Sequence, residues 1–337
     1  MTPSGGAGGS GARSSGADSS GAGGTDPFVG DRIVVRYRLG DATPDDWRGD
    51  RAAALSDVTG ILLDDGDPLV VERDGAPESI PRSAVTSVRL LSRVTVRNSE
   101  IRSAEVAAAA AWPGAESAML SGWLLRAGHG FTRRANSAVP VEFGAGTDAD
   151  TLAALREWYA ARGLPALVVV ADRLIPAGQI DGTERSGDVQ FLTREIADFP
   201  AAGSDAVRLD DAPTAAWLRA YRGDDVDLDS AAAVVGASRG PLTAATVGDD
   251  TPVSIGRATV TESADGTPWL GITALWTAPD HRRRGLASDV MASLVGWGAD
   301  HGAQRIYVQV EADNRVAGTW YRTLGFGLHH SYRYVEV

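Results

Sequence analysis

The residues of this chain best suited to chemistry lie in one short stretch. From Trp269 the sequence runs WLGITALWTAP, followed by Asp280-His281-Arg282-Arg283-Arg284-Gly285-Leu286-Ala287. The pattern predicts a strand that enters a basic, glycine-containing turn. The turn opens a helix over Gly285–His301, with Leu286, Val290, Leu294 and Trp297 on one face. A helix N-terminus offers unpaired N–H groups and the positive end of the helix dipole. Gly285 lets the backbone approach a ligand closely, and the small Ala287 leaves room beside the first turn. Such a place suits an anion with two linked phosphates, held mostly by main chain.

Other chemistries are excluded by composition. The 337 residues include no cysteine, and all 32 basic residues are arginine. There is no disulfide, no thiolate nucleophile, no Cys-ligated metal, no Schiff-base lysine and no P-loop lysine. The five histidines, His129, His281, His301, His329 and His330, lack metal-ligand spacing, so no metal is expected. A net charge of −12 argues against nucleic acid and anionic membranes as partners. The apolar runs, such as Ala107–Trp112 and Ala166–Ala171, are too short to span a bilayer, and no apolar signal segment opens the chain. These features predict a cytoplasmic protein. Gly236-Ala-Ser238-Arg-Gly240 resembles a nucleophile elbow, but Pro241 and a strand follow it where a helix is required. Gly144-Ala-Gly146-Thr-Asp-Ala149 resembles a dinucleotide turn, but Asp148 and Asp150 would face the phosphates.

The elements that position the basic turn fall into blocks. Residues 1–26, nearly all Gly, Ser and Ala, read as a flexible tail. Residues 28–97 alternate short apolar runs with turns at Asp64-Asp65-Gly66 and Arg73-Asp74-Gly75, which predicts five strands in a small SH3-like β-barrel. In 98–205 we expect a helix at Ser99–Trp112, strands at Gly122–Arg126 and Ser137–Phe143, a helix at Thr151–Arg162 and a buried strand at Ala166–Ala171. In 206–337 a helix at Pro213–Arg222 leads to the acidic loop Asp224–Asp229. Strands at Leu242–Val247, Val253–Thr261 and Trp269–Thr277 precede the basic turn. A strand at Arg305–Glu311, a helix at Val316–Leu324 and a strand near Tyr332–Val337 follow its helix. The whole is an α/β (α+β) chain.

Two motifs in order carry a family resemblance. Arg282-x-x-Gly285-x-Ala287 is the first. The second is the strand from Ile306, then Asn314 and a helix with Ala317 and Tyr321 that ends in Leu324-Gly325-Phe326. Over roughly 206–337 the chain resembles the GNAT acyl-CoA N-acyltransferases. With the small β-domain in front, it is similar to a subfamily of high-GC bacteria labelled histone-acetyltransferase-like. The resemblance implies a GNAT fold and acetyl-CoA as co-substrate. It implies that backbone N–H groups of Arg283, Arg284, Gly285, Leu286, Ala287 and Ser288 hold the pyrophosphate. Leu275, Trp276 and Thr277 would pair with the pantetheine arm, and Asn314 would contact the cofactor. Tyr321 would protonate the leaving thiolate. The acceptor would be a small-molecule amine or a protein amine. Many family members carry a Glu on the strand equivalent to Trp269–Thr277; here there is none, and Glu262, Glu311 or a water chain is left as the base. That gap motivates an alternative, a non-catalytic acyl-CoA-binding regulator. The block 98–205 reads as a degenerate GNAT half, with Phe131, Arg133, Arg134 and Asn136 as candidates for the acceptor pocket.

Overall fold

The computed structural model describes residues 27, 29–50, 53–91, 96–176, 178–200 and 203–337, so the expected tail over 1–26 lies outside the described residues. Five strands open the fold: β1 (Arg32–Arg38), β2 (Leu55–Asp64), β3 (Leu69–Arg73), β4 (Ala76–Ile80) and β5 (Val85–Leu91). They form one antiparallel sheet in the order β4-β3-β2-β1-β5. Ile33, Val35, Tyr37, Val58, Leu62, Leu69, Val71 and Ile80 fill its buried side. The β3–β4 turn has positive φ at both Asp74 (52°) and Gly75 (82°), the pair of values a tight two-residue hairpin demands. Among the described residues no ladder joins the edge strands β4 and β5, so the expected barrel is present as an open sheet.

The remaining elements are α1 (Asn98–Ala111), β6 (Glu116–Leu120), β7 (Trp123–Ala127), β8 (Val139–Pro140), α2 (Ala149–Ala160), β9 (Leu167–Ala171), β10 (Thr183–Glu184), β11 (Val189–Glu195), β12 (Val207–Asp210), α3 (Ala215–Arg222), α4 (Leu228–Val235), β13 (Leu242–Val247), β14 (Ser254–Glu262), β15 (Pro268–Thr277), α5 (Leu286–Asp300), β16 (Arg305–Glu311), α6 (Arg315–Thr323) and β17 (Gly327–Glu336). A nine-stranded sheet runs β10-β17-β11-β16-β15-β14-β13-β12, with β9 also paired to β17. Strand β11 lies between β16 and β17, so the chain on both sides of residue 205 shares one sheet. The strand expected over Ser137–Phe143 is cut to Val139–Pro140, which pairs with β7, and a parallel bridge from Ala138 to Val168.

Helices cover both faces of this sheet. On one face α5 and α6 pack through Val290, Leu294 and Tyr321 onto Leu270, Ile272, Ile306 and Val308. On the other, α1, α3 and α4 bring Ala104, Trp217 and Val234 onto Ile255, Trp269 and Tyr307. Residues alternate between these faces along β16, as the strand period requires. The fully buried Arg257 ties the second layer together. It donates to the carbonyls of Ala111, Val235 and Ala237 at 2.7–2.9 Å. Two of these lie at the C-terminal ends of α1 and α4, where a cation is stabilised by unpaired carbonyls and the helix dipole. Burial pulls the Arg257 pKa down to about 9, which leaves the group charged at neutral pH.

The acidic run Asp224–Asp229 departs from expectation, because it is not all loop. Asp227 caps α4, accepting from the N–H groups of Asp229 and Ser230 and from the Ser230 hydroxyl. Short polar residues favour such caps, and Asp-Leu-Asp-Ser before an alanine run is a helix start.

Candidate functional site

Parallel pairing between β15 and β16 is confined to three positions, Trp269–Arg305, Leu270–Ile306 and Gly271–Tyr307. Beyond them the two strands separate. Each follows its outer neighbour: β15 stays on β14 as far as Thr277, and β16 stays on β11 as far as Glu311. Two features fix the parting. Tyr307 crosses Gly271 so closely that a Cβ there would stand 2.2 Å from the phenolic oxygen. A bulge in β15 then sets Ala274 and Leu275 against the single Gly256, with Ala274 at φ 53°.

The open end of this V holds a cavity of about 640 Å³. Leu275, Trp276 and Thr277 form one wall, and the basic turn and first turn of α5 a second, through Arg282, Arg283, Gly285, Leu286, Ala287 and Ser288. Asn314, Ala317 and Tyr321 complete it from the end of β16 and from α6. The elements thus bring together every residue proposed for the phosphate turn and its neighbours except Arg284, which is exposed and outside the lining. His281, Val316 and Trp320 join them. Trp320 was legible in the sequence, since it lies three residues from Ala317 on the helix that carries Tyr321. Val316 was not, because nothing in the pattern marks an apolar residue left 84% exposed.

The turn has the local geometry an anion needs. Gly285 is the N-cap of α5 in the left-handed region (φ 85°), and Arg283 is also left-handed (φ 61°). Ser288 and Asp289 donate their N–H groups to the Gly285 carbonyl. Among the described residues the N–H groups of Arg283, Arg284, Gly285, Leu286 and Ala287 have no protein acceptor. Ser288 differs from expectation in one respect: it lines the cavity, but its N–H closes the first helical turn. The Arg282 Nε donates to the Thr277 carbonyl at 3.2 Å, which ties the turn to the strand end. Asn314 caps α6, its side-chain oxygen accepting from the Ala317 N–H at 3.2 Å. Tyr321 is buried, and burial pushes its pKa up to about 12. Its hydroxyl has no hydrogen-bond partner among the described residues.

A second cavity, about 220 Å³, adjoins the end of β16 on the opposite face. Gln309 and Glu311 point into it, while Val308 and Val310 face the core under α5 and α6. Thr132, Arg133 and Arg134 enter from the loop after β7, Tyr221 and Arg222 from the end of α3, and Tyr332 and Tyr334 from β17. Glu311 is held by Arg133 at 2.5 Å. Arg134 donates to the Gln309 side-chain oxygen at 2.7 Å. Trp276 lines the first cavity and also packs against the cluster that surrounds Tyr221, Trp217 and Phe131.

Of the four residues expected near an acceptor, Arg133 and Arg134 line this cavity and the other two do not. Asn136 is buried scaffolding: it accepts from the N–H groups of Gly128 and Gly130 and donates to the Thr132 carbonyl. Phe131 packs under the Arg222 guanidinium. Glu262 is also displaced. It ends β14 opposite Pro268, seven residues and roughly 23 Å of strand from Leu275. Glu311 alone, among the described residues, brings a carboxylate into the lining of either cavity.

Known proteins share this architecture. A family model described as the C-terminal part of the probable histone acetyltransferase Rv0428c matches residues 98–335. Over 316 residues the chain is 37% identical to the probable histone acetyltransferase Rv0428c of Mycobacterium tuberculosis, covering 92% of this chain and 96% of that protein. It is 24% identical over 249 residues to the uncharacterized N-acetyltransferase YobR of Bacillus subtilis, covering 69% and 98%. A solved GCN5-related N-acetyltransferase from Kribbella flavida matches 72% of this chain and 96% of its own, with a TM-score of 0.51 and 16% identity, a likeness of fold. No helix among the described residues is long and apolar enough to cross a membrane.

Proposed function

The chain belongs to the Rv0428c-like family of GNAT acetyltransferases, and on that premise we propose that it moves the acetyl group of acetyl-CoA to a primary amine in a ternary complex. The observation that carries the reading is the coincidence, in one cavity, of the strand V, the unpaired N–H groups at the start of α5 and the partnerless Tyr321 hydroxyl. The turn at Arg283–Ala287 suits the pyrophosphate, and the open edge of β15 at Leu275–Thr277 suits the amide-bearing arm. The amine nitrogen adds to the thioester carbonyl carbon, the C–N bond forms and the C–S bond breaks. The leaving thiolate takes a proton from Tyr321, and the phenolate takes back the second proton of the nitrogen as the amide forms. A phenol held near 12 stays protonated throughout the physiological range, so the donor is in its acid form when the thiolate leaves. The proton lost by the ammonium passes to Glu311 or through water to solvent. With no cysteine in the chain, no thiol is present to carry an acyl group between half-reactions.

We further read β1–β5 as an SH3-like docking module and β8–α2–β9 as the remnant of a second GNAT half, in a cytoplasmic enzyme. The experiment that tests the main reading is thermal unfolding with acetyl-CoA. Cofactor at one hundred times Kd stabilises the native state by about 2.7 kcal/mol. An unchanged midpoint at millimolar acetyl-CoA sinks the reading.

A further inference from the structure

We propose that the second cavity is an anion-reading acceptor site, so that the preferred substrate is a small amine that itself carries a carboxylate or phosphate. This rests on the acetyltransferase reading above and adds the chemical class of the acceptor.

Charge sets this cavity apart. The protein carries a net −12, yet the surroundings of this cavity are strongly basic. Arg133, Arg134 and Arg222 line it, and Arg126 and Arg257 are buried behind it around Trp112, reached through the Trp112 carbonyl and ring. In the lining itself three guanidinium groups face one carboxylate, Glu311; behind the lining lie Glu105 and, next to the lining residue Val189, Asp188. Glu311 is held by Arg133, and Glu105 is buried against His330 Nε2 at 2.8 Å.

The hydrogen-bonding inventory points the same way. Thr132, Tyr221, Tyr332 and Tyr334 add hydroxyl donors to the arginines, and Glu311 is the single anionic acceptor in the lining. The Arg134 Nε is engaged by Gln309, but its two terminal nitrogens have no protein acceptor among the described residues. A guanidinium presented in this way binds a carboxylate or phosphate through two parallel hydrogen bonds.

Size and place set the rest. About 220 Å³ accommodates an amino acid or an amino-sugar phosphate, not a folded polycation. The cavity lies at the same end of the sheet as the first, on the opposite face, with Trp276 between. An anionic group on Arg134 and Arg222 would leave the amine of the same molecule to meet Glu311 and the V. The acidic loop offers no competing cation site here. Asp227 is consumed as the α4 cap, and neither Asp224 nor Asp225 lines the cavity.

The test is acetyl transfer by the full chain, read as thiol release. The acceptors are matched pairs: glycine against glycinamide, phenylalanine against its amide, and glucosamine 6-phosphate against glucosamine. Kanamycin and a lysine-rich peptide are added as polycations. In at least one pair the anionic member should exceed its neutral partner in kcat/KM by roughly tenfold to a hundredfold, the worth of one charge-assisted hydrogen-bond pair. Whether the carboxylates or the phosphate lead identifies the source of the anion. Arg134→Gln should bring that ratio close to one while acetyl-CoA still stabilises the protein, and Arg134→Lys should restore part of it. Arg222→Gln, at an exposed position, should lower the ratio even if Arg134→Gln folds poorly. Equal or better turnover of the neutral or polycationic amines overturns the proposal. So does the absence of both turnover and stabilisation of the acetyl-CoA complex by every anionic amine. Failure of acetyl-CoA itself to stabilise the protein removes the acetyltransferase reading and this one together.

Discussion

The two cavities lie at one end of one sheet and are made by opposite means. The first is a property of main chain: a helix start, a left-handed turn and a strand edge with no neighbour. The second is a property of side chains drawn from five distant segments, at residues 132–134, 189, 221–222, 309–311 and 332–334. Their arginines differ accordingly. Arg282, Arg283 and Arg284 are exposed, so their charge acts through water and salt. Arg134 lies among aromatic rings beside Gln309, where each hydrogen bond counts for more. A backbone-built site can hold a common cofactor with little demand on residue type. Selectivity for an acceptor has to be written in side chains.

If the two cavities divide the work in this way, chemistry should fail at the V while both binding sites survive. Tyr321→Phe keeps the ring and its packing against Phe326 and removes only the hydroxyl. We expect kcat to fall by about a hundredfold or more, the scale of a general acid. Acetyl-CoA stabilisation and the anionic-acceptor preference should be unchanged. The pH dependence has a definite sign. With its pKa raised to about 12, Tyr321 keeps its proton through pH 10, so the wild-type rate should not decline between pH 8 and 10 through loss of this acid. In the unfolded chain the same phenol titrates near 10, so its contribution to stability is whole below pH 10 and is lost as pH rises towards 12. A normal rate in Tyr321→Phe would take the hydroxyl out of the mechanism and leave the first cavity a binding site only.

The next effect falls on the junction that both cavities share. Gly271 lies under Tyr307 where the strands part, and an added Cβ would meet the ring oxygen at 2.2 Å. Tyr307 stacks on Phe191, with ring centroids 4.8 Å apart, so it has little freedom to retreat. Gly271→Ala should cost about 1–3 kcal/mol by overpacking, measured by chemical denaturation, and should weaken acetyl-CoA binding and acceptor discrimination together. Loss of one without the other would mean that the two sites do not share this hinge.

The same contrast explains what the sequence made legible. The basic turn at the start of α5 could be located because Arg282-x-x-Gly285-x-Ala287 is contiguous and each residue type answers a backbone demand. Strands β13–β16 and helix α5 followed from periodicity to within a residue or two. The second cavity could not be assembled from sequence. Glu311 was visible as a candidate base and Gln309 only as a strand residue, and Tyr221, Arg222, Tyr332 and Tyr334 carried no spacing that links any of them to Arg134. Strand β11 was missed for a related reason. Val189-Gln-Phe-Leu-Thr-Arg-Glu has no strict alternation because both faces of the strand are covered, Phe191 packing under α1, α3 and α4 and Leu192 under α5 and α6, and its first four residues are buried. That omission hid the fact that the blocks before and after residue 205 share a sheet.

The smallest effect is the most diagnostic. A Cβ added at Gly285 would have no atom within 4 Å, so Gly285→Ala meets no clash. Its cost is the left-handed backbone alone, about 1 kcal/mol at φ 85°. Arg283, left-handed at φ 61° two residues earlier, shows that the turn already bears one such residue. The turn can shed the added strain by rotating towards negative φ, and that rotation swings the N–H groups of Leu286 and Ala287 away from a common point. Acetyl-CoA affinity should then fall by up to about tenfold, since 1.4 kcal/mol is a factor of ten. The preference for anionic over neutral acceptors should be untouched, because no residue of this turn lines the second cavity. Titration calorimetry with acetyl-CoA and the paired-acceptor assay measure the two separately. A variant that keeps its cofactor affinity but loses its acceptor preference would show that the division between a main-chain site and a side-chain site is drawn in the wrong place.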